Sequence, residues 1–311
     1  MPQNVQKLPL DTIKEMKVHY ADSLQSSPQG ALFRAKTPNA VITAYKSGKV
    51  LYQGKSPDTE MKKWAGKSIE KPVSAAKKSS DGQSPFSPPV SLFSSNHIGT
   101  DEAGTGDYFG PITVAAVYVE DHQIEELKQL GIRDSKDLTD PIIRRLSKKV
   151  IAMGLPYSLL VLHNNKYNRL QNKGWSQGKM KAMLHQHTIN NLTKKIGQKP
   201  LDGILIDQFC EPGIFKRHIS SEGERLHNQT YFMTKAESYS IAVAAASIIA
   251  RTSFLNEMDK LSDKLGTVLP KGASKKVDQT IAKIIREKGS EALNSCAKTH
   301  FANTRKANNY L

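Results

Sequence analysis

Residues 101–106 (DEAGTG) are the strongest candidate for a reactive site, and they begin with two adjacent acidic residues, Asp101 and Glu102. Neighbouring carboxylates repel each other unless a cation or a basic group balances their charge. Oxygen ligands of this kind are those that Mg²⁺ and Mn²⁺ prefer, and glycines let a ligand approach the backbone closely. The segment therefore predicts a divalent-metal site beside a loop that can contact a substrate.

The composition favours nucleic acid as the partner of such a site. The 311 residues include 45 Lys and Arg against 29 Asp and Glu, which gives a formal net charge of +16. A charge of this size favours a polyanion, because each basic side chain that meets a phosphate releases counterions. A soluble protein with a basic surface would show the same excess, so charge alone leaves both interpretations open.

The cysteines and the apolar runs bear on where the protein works. Cys210 and Cys296 form no CxxC pair, so neither a zinc knuckle nor a disulfide framework is expected. The N-terminus lacks the apolar stretch of a signal peptide, and no apolar run reaches the roughly 18 residues that a membrane span needs. We therefore expect a cytoplasmic protein with no membrane partner and, because nothing resembles a dimerisation helix, a monomer.

Two more acids stand where a fold could bring them to the same site. Asp207 ends the apolar run 203–206 (GILI), and the carboxyl edge of an open α/β sheet is where ligands bind. Glu237 precedes the small-residue segment 241–250 (IAVAAASIIA), which can pack closely on a sheet. Each acid has an ordinary alternative, because Asp is common in turns and acids near helix starts offset the helix dipole. On position alone, both interpretations stay open.

The elements that would position these acids fall into three segments. The first, 1–66, is a small α+β domain with one open sheet face, and its expected elements are helices at 10–24 and near 56–66 and strands at 31–35, 40–45 and 50–53. Residues 67–92, rich in Lys, Ser and Pro, are expected to form a linker. Residues 93–311 alternate strands and helices, which indicates an α/β sheet covered by helices. Their expected elements are strands at 96–101, 111–119, 156–163, 202–207 and 229–233, and helices at 121–130, 139–153, 176–197, 238–262 and 275–289.

Four motifs, in this order, resemble the type 2 ribonuclease H family on its bacterial ribonuclease HIII branch. They are DEAGTG at 101–106, DSKDL at 134–138, ILID at 204–207, and KAE at 235–237 with AASIIA at 245–250. Thr105 stands where ribonuclease HII enzymes usually have Arg, and Glu237 stands where they have Asp. An N-terminal unit also precedes the catalytic domain, and together these departures from ribonuclease HII are typical of the HIII branch.

The resemblance implies a fold, an activity and a set of metal ligands. The fold would be α/β, a ribonuclease-H-like mixed sheet flanked by helices over 93–311, preceded by a small α+β, TATA-binding-protein-like substrate-binding domain over 1–66. The activity would be cleavage of the RNA strand of RNA/DNA hybrids to give 3′-hydroxyl and 5′-phosphate ends. An acidic quartet would hold Mg²⁺ or Mn²⁺, two ions during turnover, and its members are Asp101, Glu102, Asp207 and Glu237.

The resemblance also implies contacts with the substrate. The glycine loop, Gly104-Thr105-Gly106, would contact ribose 2′-hydroxyls, the groups that distinguish RNA from DNA. Ser135 would donate a hydrogen bond to the substrate, and Lys136 would contact a phosphate. These expectations rest on the resemblance, since a tight turn would also explain the glycines.

Basic and histidine side chains of the following segment are weaker candidates. Lys179 and Lys181 are expected either to face the substrate or to lie on a solvated helix face. The histidines at positions 163, 185 and 187 lack a spacing typical of metal sites and are interpreted as structural.

Three other functions stay open. Thr105 in place of Arg argues mildly against the ribonuclease HII specificity, which is cleavage beside single ribonucleotides in DNA. A different two-metal nuclease, such as a resolvase or an exonuclease, would use a similar acidic cluster and would cut all-DNA substrates. A hybrid-binding protein without turnover would bind the duplex and cut nothing.

Overall fold

The computed structural model describes residues 3–28, 30–64, 84–132 and 138–311. The chain divides into two compact units, Met1–Gly82 and Gln83–Leu311. Each unit has its own buried apolar cluster. None of the helices in the described ranges is long and apolar enough to cross a membrane.

The first unit is an antiparallel sheet with helices. Its described strands are β1 (Gln3–Lys7), β2 (Leu24–Gln25), β3 (Ala31–Lys36), β4 (Val41–Tyr45) and β5 (Lys49–Gln53), and its described helices are α1 (Leu10–His19) and α2 (Pro57–Lys62). The strands pair in the order β1-β5-β4-β3-β2. Apolar side chains of α1 join those of the sheet in one cluster that includes Ile13, Met16, Phe33, Ile42 and Tyr52. The predicted small α+β domain with a single sheet is confirmed.

The second unit alternates strands and helices as its sequence predicts. Its described strands are β6 (His97–Ala103), β7 (Ile112–Val119), β8 (Tyr157–Leu162), β9 (Gly203–Asp207) and β10 (Thr230–Met233). Its described α-helices are α3 (Ile124–Gln129), α4 (Asp140–Ala152), α5 (Asn164–Asn172), α6 (Gln177–Ile196), α7 (Pro212–Ser220), α8 (Ile241–Leu265), α9 (Lys275–Lys288), α10 (Leu293–Cys296) and α11 (Ala302–Lys306).

The sheet of the second unit is mixed and lies between helices. The strand order is β10-β9-β6-β7-β8, in which β10, β9 and β6 are parallel and β7 is antiparallel to both of its neighbours. Alternate residues of β7 face opposite sides: Ala115 and Val117 pack with α4 and α8, whereas Ala116 and Tyr118 pack with α6 and α7. This is the predicted α/β sheet flanked by helices.

The long helix α8 lies unusually close to the central strand. A Cβ placed on Gly99 of β6 would come within 2.2 Å of the Val243 backbone nitrogen. The small side chains of the first turns of α8, Ala242 and Ala244 to Ala246, are all buried. Glycine facing an alanine-rich helix therefore brings α8 within reach of the carboxyl end of β6.

The C-terminal end of the predicted linker, 67–92, differs from the prediction. Residues 65–83 lie outside the described residues, but the chain from Ser84 onwards packs on the second unit. The Phe86 ring lies 5.9 Å from that of Phe232, and the Phe232 N–H donates to the Phe86 carbonyl at 2.8 Å. Leu92 is buried beside Leu205 and Val243. Apolar residues of this segment thus gain burial that its Ser- and Pro-rich composition did not indicate.

Candidate active site

Two of the predicted acids lie side by side because of strand register. In the parallel pair β6–β9, Thr100 is opposite Ile206, so that Asp101 and Asp207 are the next residues on adjacent strands. Both stand toward the carboxyl end of their strands, the edge at which α/β sheets bind ligands. Asp101 is 7% exposed. The register therefore places two carboxylates together although they are far apart in sequence.

Glu237 reaches the same place from the neighbouring strand. β10 pairs with β9 so that Met233 lies opposite Asp207, and the chain then turns through Lys235, whose φ is +57°. The Ala236 N–H donates to Asp207 Oδ1 at 2.9 Å. Glu237 is 3% exposed, and its carboxyl group shares a hydrogen bond with that of Asp207. The turn after β10 thus fixes Glu237 beside Asp207.

Glu102 is held by two basic side chains of α6. Lys181 Nζ donates to Glu102 Oε1 at 2.7 Å, and His185 Nε2 lies 2.9 Å from Glu102 Oε2. The Thr100 hydroxyl donates to the Ala115 carbonyl and lies 2.9 Å from His185 Nδ1. The charge of Glu102 is therefore balanced inside the protein.

The pKa values of Asp101 and Asp207 are raised, whereas that of Glu102 is lowered. Burial and the charges of Glu102 and Asp207 raise the pKa of Asp101 well above its ordinary value. Burial, the charge of Glu237 and the hydrogen bond to its carboxyl group raise the pKa of Asp207 to about 6, although the hydrogen bond from the Ala236 N–H lowers it. For Glu102, burial alone would raise the pKa, but His185 and Lys181 lower it to about 2. A bound cation would therefore stabilise the charged forms of Asp101 and Asp207, which burial and mutual repulsion disfavour.

A cavity of about 340 Å³ opens at this edge of the sheet. Its wall consists of acidic, glycine-loop and basic residues: Asp101, Glu102, Ala103, Gly104, Thr105, Gly106, Asp107, Asp207, Ser247, Arg251, Phe254 and Lys271. The glycine loop is shaped by Gly104, whose φ is +84° and at which a Cβ would come within 2.2 Å of the Pro111 carbonyl oxygen. The Thr105 carbonyl accepts a hydrogen bond from Gln177 Nε2 at 3.1 Å. Backbone and carboxylates therefore face one space.

The donor set suits a hard divalent cation. The side chains that meet here are carboxylates, which are oxygen ligands, and repulsion between them contributes to the raised pKa values of Asp101 and Asp207. As the side chains stand, no three His, Cys, Asp or Glu groups within the described ranges converge tightly enough to hold an ion. Both carboxylate oxygens of Glu102 contact Lys181 and His185 instead.

The predicted substrate residues separate into three groups. Gly104, Thr105 and Gly106 line the cavity, whereas Ser135 and Lys136 lie outside the described residues. The third group is Lys179, which is not among the residues of the cavity wall. Its Nζ lies 2.5 Å from Glu222 Oε1 and 4.4 Å from the centre of the Trp175 ring.

Sequence reasoning missed the part that α6 and α8 play in the site. Lys181 and His185 are four residues apart, so they lie on one helix face, and both meet Glu102 rather than solvent. That spacing was the available signal, and His185 was instead interpreted as structural only. Arg251 and Lys271 line the cavity and carried no motif that marked them.

Comparisons with known proteins agree with this geometry. The family model described as ribonuclease HII matches residues 98–304, and a domain of unknown function, DUF3378, matches residues 3–77. The ribonuclease HIII of Oceanobacillus iheyensis is 55% identical over 312 residues, which cover 100% of both chains. The ribonuclease HIII of Bacillus subtilis (strain 168) is 50% identical over 309 residues, which cover 99% of this chain and 97% of that protein.

Solved structures resemble the chain over the same extent. The crystal structure of Bst-RNase HIII in complex with Mn²⁺ superposes with a TM-score of 0.69 at 43% identity and covers 99% of this chain and 98% of its own. That of Aquifex aeolicus RNase H3 gives a TM-score of 0.53 at 22% identity over 96% of this chain and 98% of its own, a likeness of fold alone. With a matching family model, full-length relatives and an acidic cluster at the expected strand ends, the chain belongs to the ribonuclease HII family as one of its ribonuclease HIII members.

Proposed function

We propose that this chain is an endoribonuclease that cleaves the RNA strand of RNA/DNA hybrids by divalent-metal-assisted hydrolysis and leaves 3′-hydroxyl and 5′-phosphate ends. The observation that carries the proposal is the convergence of Asp101, Asp207 and the glycine loop, residues 104–106, on one cavity. Relatives named ribonuclease HIII, 48–55% identical, support the same activity. The net charge of +16 suits a nucleic-acid substrate.

The proposed metal ligands are the four acids Asp101, Glu102, Asp207 and Glu237. The Mn²⁺ complex of Bst-RNase HIII and the oxygen-only donor set support Mg²⁺ or Mn²⁺ as the cofactor. Two ions held by these acids would supply activation of the attacking water and stabilisation of the departing oxygen. The chain itself aligns the carboxylates, through strand register for Asp101 and Asp207 and through α6 for Glu102.

The glycine loop would select RNA through its backbone. Gln177 holds the Thr105 carbonyl and also donates to the Tyr167 hydroxyl at 3.0 Å, so the loop is braced from α6. A braced backbone beside the metal-binding acids can hydrogen-bond a ribose 2′-hydroxyl, which DNA lacks. Ser135, Lys136 and Lys179 stay predicted contacts to the substrate.

The first unit would bind the same duplex and raise its affinity for the enzyme. Its sheet has an apolar depression of about 450 Å³ lined by Val5, Tyr45 and Leu51 together with Lys46 and Lys49. Apolar and aromatic side chains with flanking lysines suit a sugar-phosphate backbone. We propose residues 1–66 as this substrate-binding domain and, because Phe86 and Leu92 pack on the second unit, a catalytic domain that starts near residue 84.

We further propose that the protein acts as a monomer in the cytoplasm. Cys210 and Cys296 are both free thiols, and Cys296 is buried, as expected of a protein from a reducing compartment. Light scattering of the purified full chain would give the mass of a monomer, 34.4 kDa, and a stable dimer mass would contradict that part.

Three labelled duplexes test the proposed activity. A long RNA/DNA hybrid, DNA with one ribonucleotide and all-DNA duplex would be incubated with the full chain in Mg²⁺ or Mn²⁺. Cutting of the RNA strand of the long hybrid, with 3′-hydroxyl ends, is the expected result. Cutting only at the single ribonucleotide would indicate ribonuclease HII specificity, cutting of DNA another nuclease, and tight binding without cutting a hybrid-binding protein.

A further inference from the structure

Two basic side chains on the cavity wall have no role in the site as described so far. Arg251 lies on α8, one turn after Ser247, whose hydroxyl bonds to Asp101. Lys271 lies in the segment between α8 and α9. The wall is thus acidic where Asp101 and Asp207 stand and basic where Arg251 and Lys271 stand.

One carboxylate, Asp140 at the start of α4, joins both basic side chains. Arg251 Nη2 donates to Asp140 Oδ1 at 3.3 Å, and Lys271 Nζ donates to Asp140 Oδ2. Burial would raise the pKa of Asp140, but the bonds and charges of Lys271 and Arg251 lower it. The three side chains together carry one net positive charge. An ordinary ion pair between α4 and α8 would be neutral.

Both cations keep donors that Asp140 does not use. The guanidinium has five N–H donors, and its buried Nε has no hydrogen-bond partner within the described residues. The side chains of Arg251 and Lys271 are 35% and 43% exposed, so both are open to a ligand. The backbone next to Lys271 is fixed to the end of the glycine-loop segment, because the Gly272 N–H donates to Asp107 Oδ1 at 2.6 Å and the Gly272 carbonyl accepts from the Tyr108 N–H at 2.9 Å.

We propose that Arg251 and Lys271 bind a backbone phosphate of the hybrid next to the one that is cut, and that Asp140 positions both side chains. This inference rests on the proposed function, since it names contacts of the same substrate. Phosphate is the anion that suits the site, because a guanidinium and an ammonium can share its oxygens while the carboxylate behind them keeps them in place.

The salt dependence of hybrid binding distinguishes a phosphate contact from a structural role. Full-length Arg251→Gln and Lys271→Gln would be compared with wild type by fluorescence anisotropy without divalent metal, over a series of KCl concentrations. Each lost contact should reduce the slope of log Kobs against log[KCl] by about one unit. In Mg²⁺, KM for the hybrid should rise about tenfold with little change in kcat.

The chain offers a matched control on the same two helices. Arg144 of α4 pairs with Asp259 of α8, Nη2 to Oδ2 at 2.6 Å, and does not line the cavity. Arg144→Gln removes one positive charge and one α4–α8 ion pair, so its slope and KM should stay at the wild-type values. The proposed phosphate contact would be overturned if Arg251→Gln and Lys271→Gln had the same slope and the same KM as Arg144→Gln.

Asp140→Asn tests the positioning role by the sign of its effect. Removing a negative charge beside the cavity would strengthen binding of a polyanion if only net charge mattered. If Asp140 positions Arg251 and Lys271, KM should instead rise severalfold, and tighter binding would reject that role. If the wild-type protein cuts the hybrid but Arg251→Gln and Lys271→Gln behave like Arg144→Gln, only this inference is refuted. If the wild-type protein cuts no hybrid, the proposed function itself is refuted.

Discussion

At the scale of single residues, the acids were predictable and their partners were not. Asp101 and Asp207 follow apolar runs, and strand register then places them together. Lys181 and His185 are 79 and 83 residues from Glu102 in sequence, so their four-residue spacing indicates a shared helix face but does not identify Glu102 as the partner. A lysine and a histidine on a helix usually face solvent, and only the packing of α6 on the sheet shows that these two balance Glu102.

Removing the cation at Lys181 should expose the cost of a buried charge. Lys181→Met leaves Glu102 with His185 as its remaining basic partner, and breaking a buried ion pair typically costs about 3 kcal/mol or more. We expect a loss of about 3 kcal/mol in the free energy of unfolding, measured by urea, and lower turnover. Lys194→Met, on the exposed end of the same helix, is the control, and equal stability of the two variants would contradict this account.

Glu60 of α2 should make the first unit sensitive to acid. Burial would raise its pKa, but bonds from Lys63, Asn39 and Tyr20 lower it to about 2 from an ordinary 4.5. A carboxyl with a lowered pKa stabilises the fold fully above pH 4.5, and this stabilisation of about 3 kcal/mol is lost as the pH falls toward 2.

The two tryptophans of the chain, one in each unit, allow that effect to be measured. In a Trp175→Phe background, fluorescence of Trp64 reports unfolding of the first unit alone. The stability difference between this protein and its Glu60→Gln variant should be largest at neutral pH and should shrink below pH 4.5. A difference that stays constant from pH 7 to pH 3 would count against the role of Glu60.

At the scale of elements, long patterned segments were predicted and polar helices were not. The strands β6 to β9 and the helices α4, α6, α8 and α9 lie within a few residues of their predicted bounds. The helix α5 was missed because four of the nine residues in its sequence, NNKYNRLQN, are Asn, a weak helix former, and only Tyr167 and Leu170 are large and apolar. Tertiary bonds replace that propensity: Asn164 Nδ2 donates to the Gly110 carbonyl at 2.9 Å, and Asn168 Nδ2 to the Ala297 carbonyl at 2.8 Å.

The close approach of α8 to β6 gives a prediction about packing. In Gly99→Ala the added methyl would meet the Val243 backbone at 2.2 Å, which α8 cannot avoid by a side-chain rotation. We expect a loss of about 3 kcal/mol in the free energy of unfolding, and lower activity because Asp101 is two residues away. Gly213→Ala, which points into open space, should change little, and equal stability of both variants would show that α8 tolerates the shift.

At the scale of the whole molecule, two units share one substrate in our account. Two domains that bind the same duplex raise affinity through effective concentration, by roughly 100-fold or more where geometry allows. The sequence indicated two domains through its Lys-, Ser- and Pro-rich segment. It did not show where the second unit begins, because the partners of Phe86 and Leu92, which are Phe232 and Leu205, lie far along the chain.

Truncation separates binding by the first unit from folding of the second. Deletion of residues 1–82 should weaken hybrid binding by about 100-fold and leave measurable cleavage and an unchanged melting temperature of the second unit. Deletion of residues 1–92 should in addition lower that temperature, because it removes Phe86 and Leu92. Unchanged hybrid affinity of the first truncation would reject the binding role of the first unit.

The central claim is that carboxylates at the strand ends hold the catalytic metal. The measurement that tests it most directly is single-turnover cleavage of a long RNA/DNA hybrid by two variants, Asp207→Asn at the end of β9 and Asp202→Asn just before its start. Asp207→Asn changes an acid on the cavity wall, whereas Asp202→Asn changes an acid at the other end of the same strand, where it accepts hydrogen bonds from Asn96. If carboxylates at the strand ends hold the metal, Asp207→Asn should lose at least about 100-fold in rate, or roughly 3 kcal/mol of barrier, while Asp202→Asn cleaves like wild type. Equal rates for the two variants would contradict the assignment of the chemistry to this cavity.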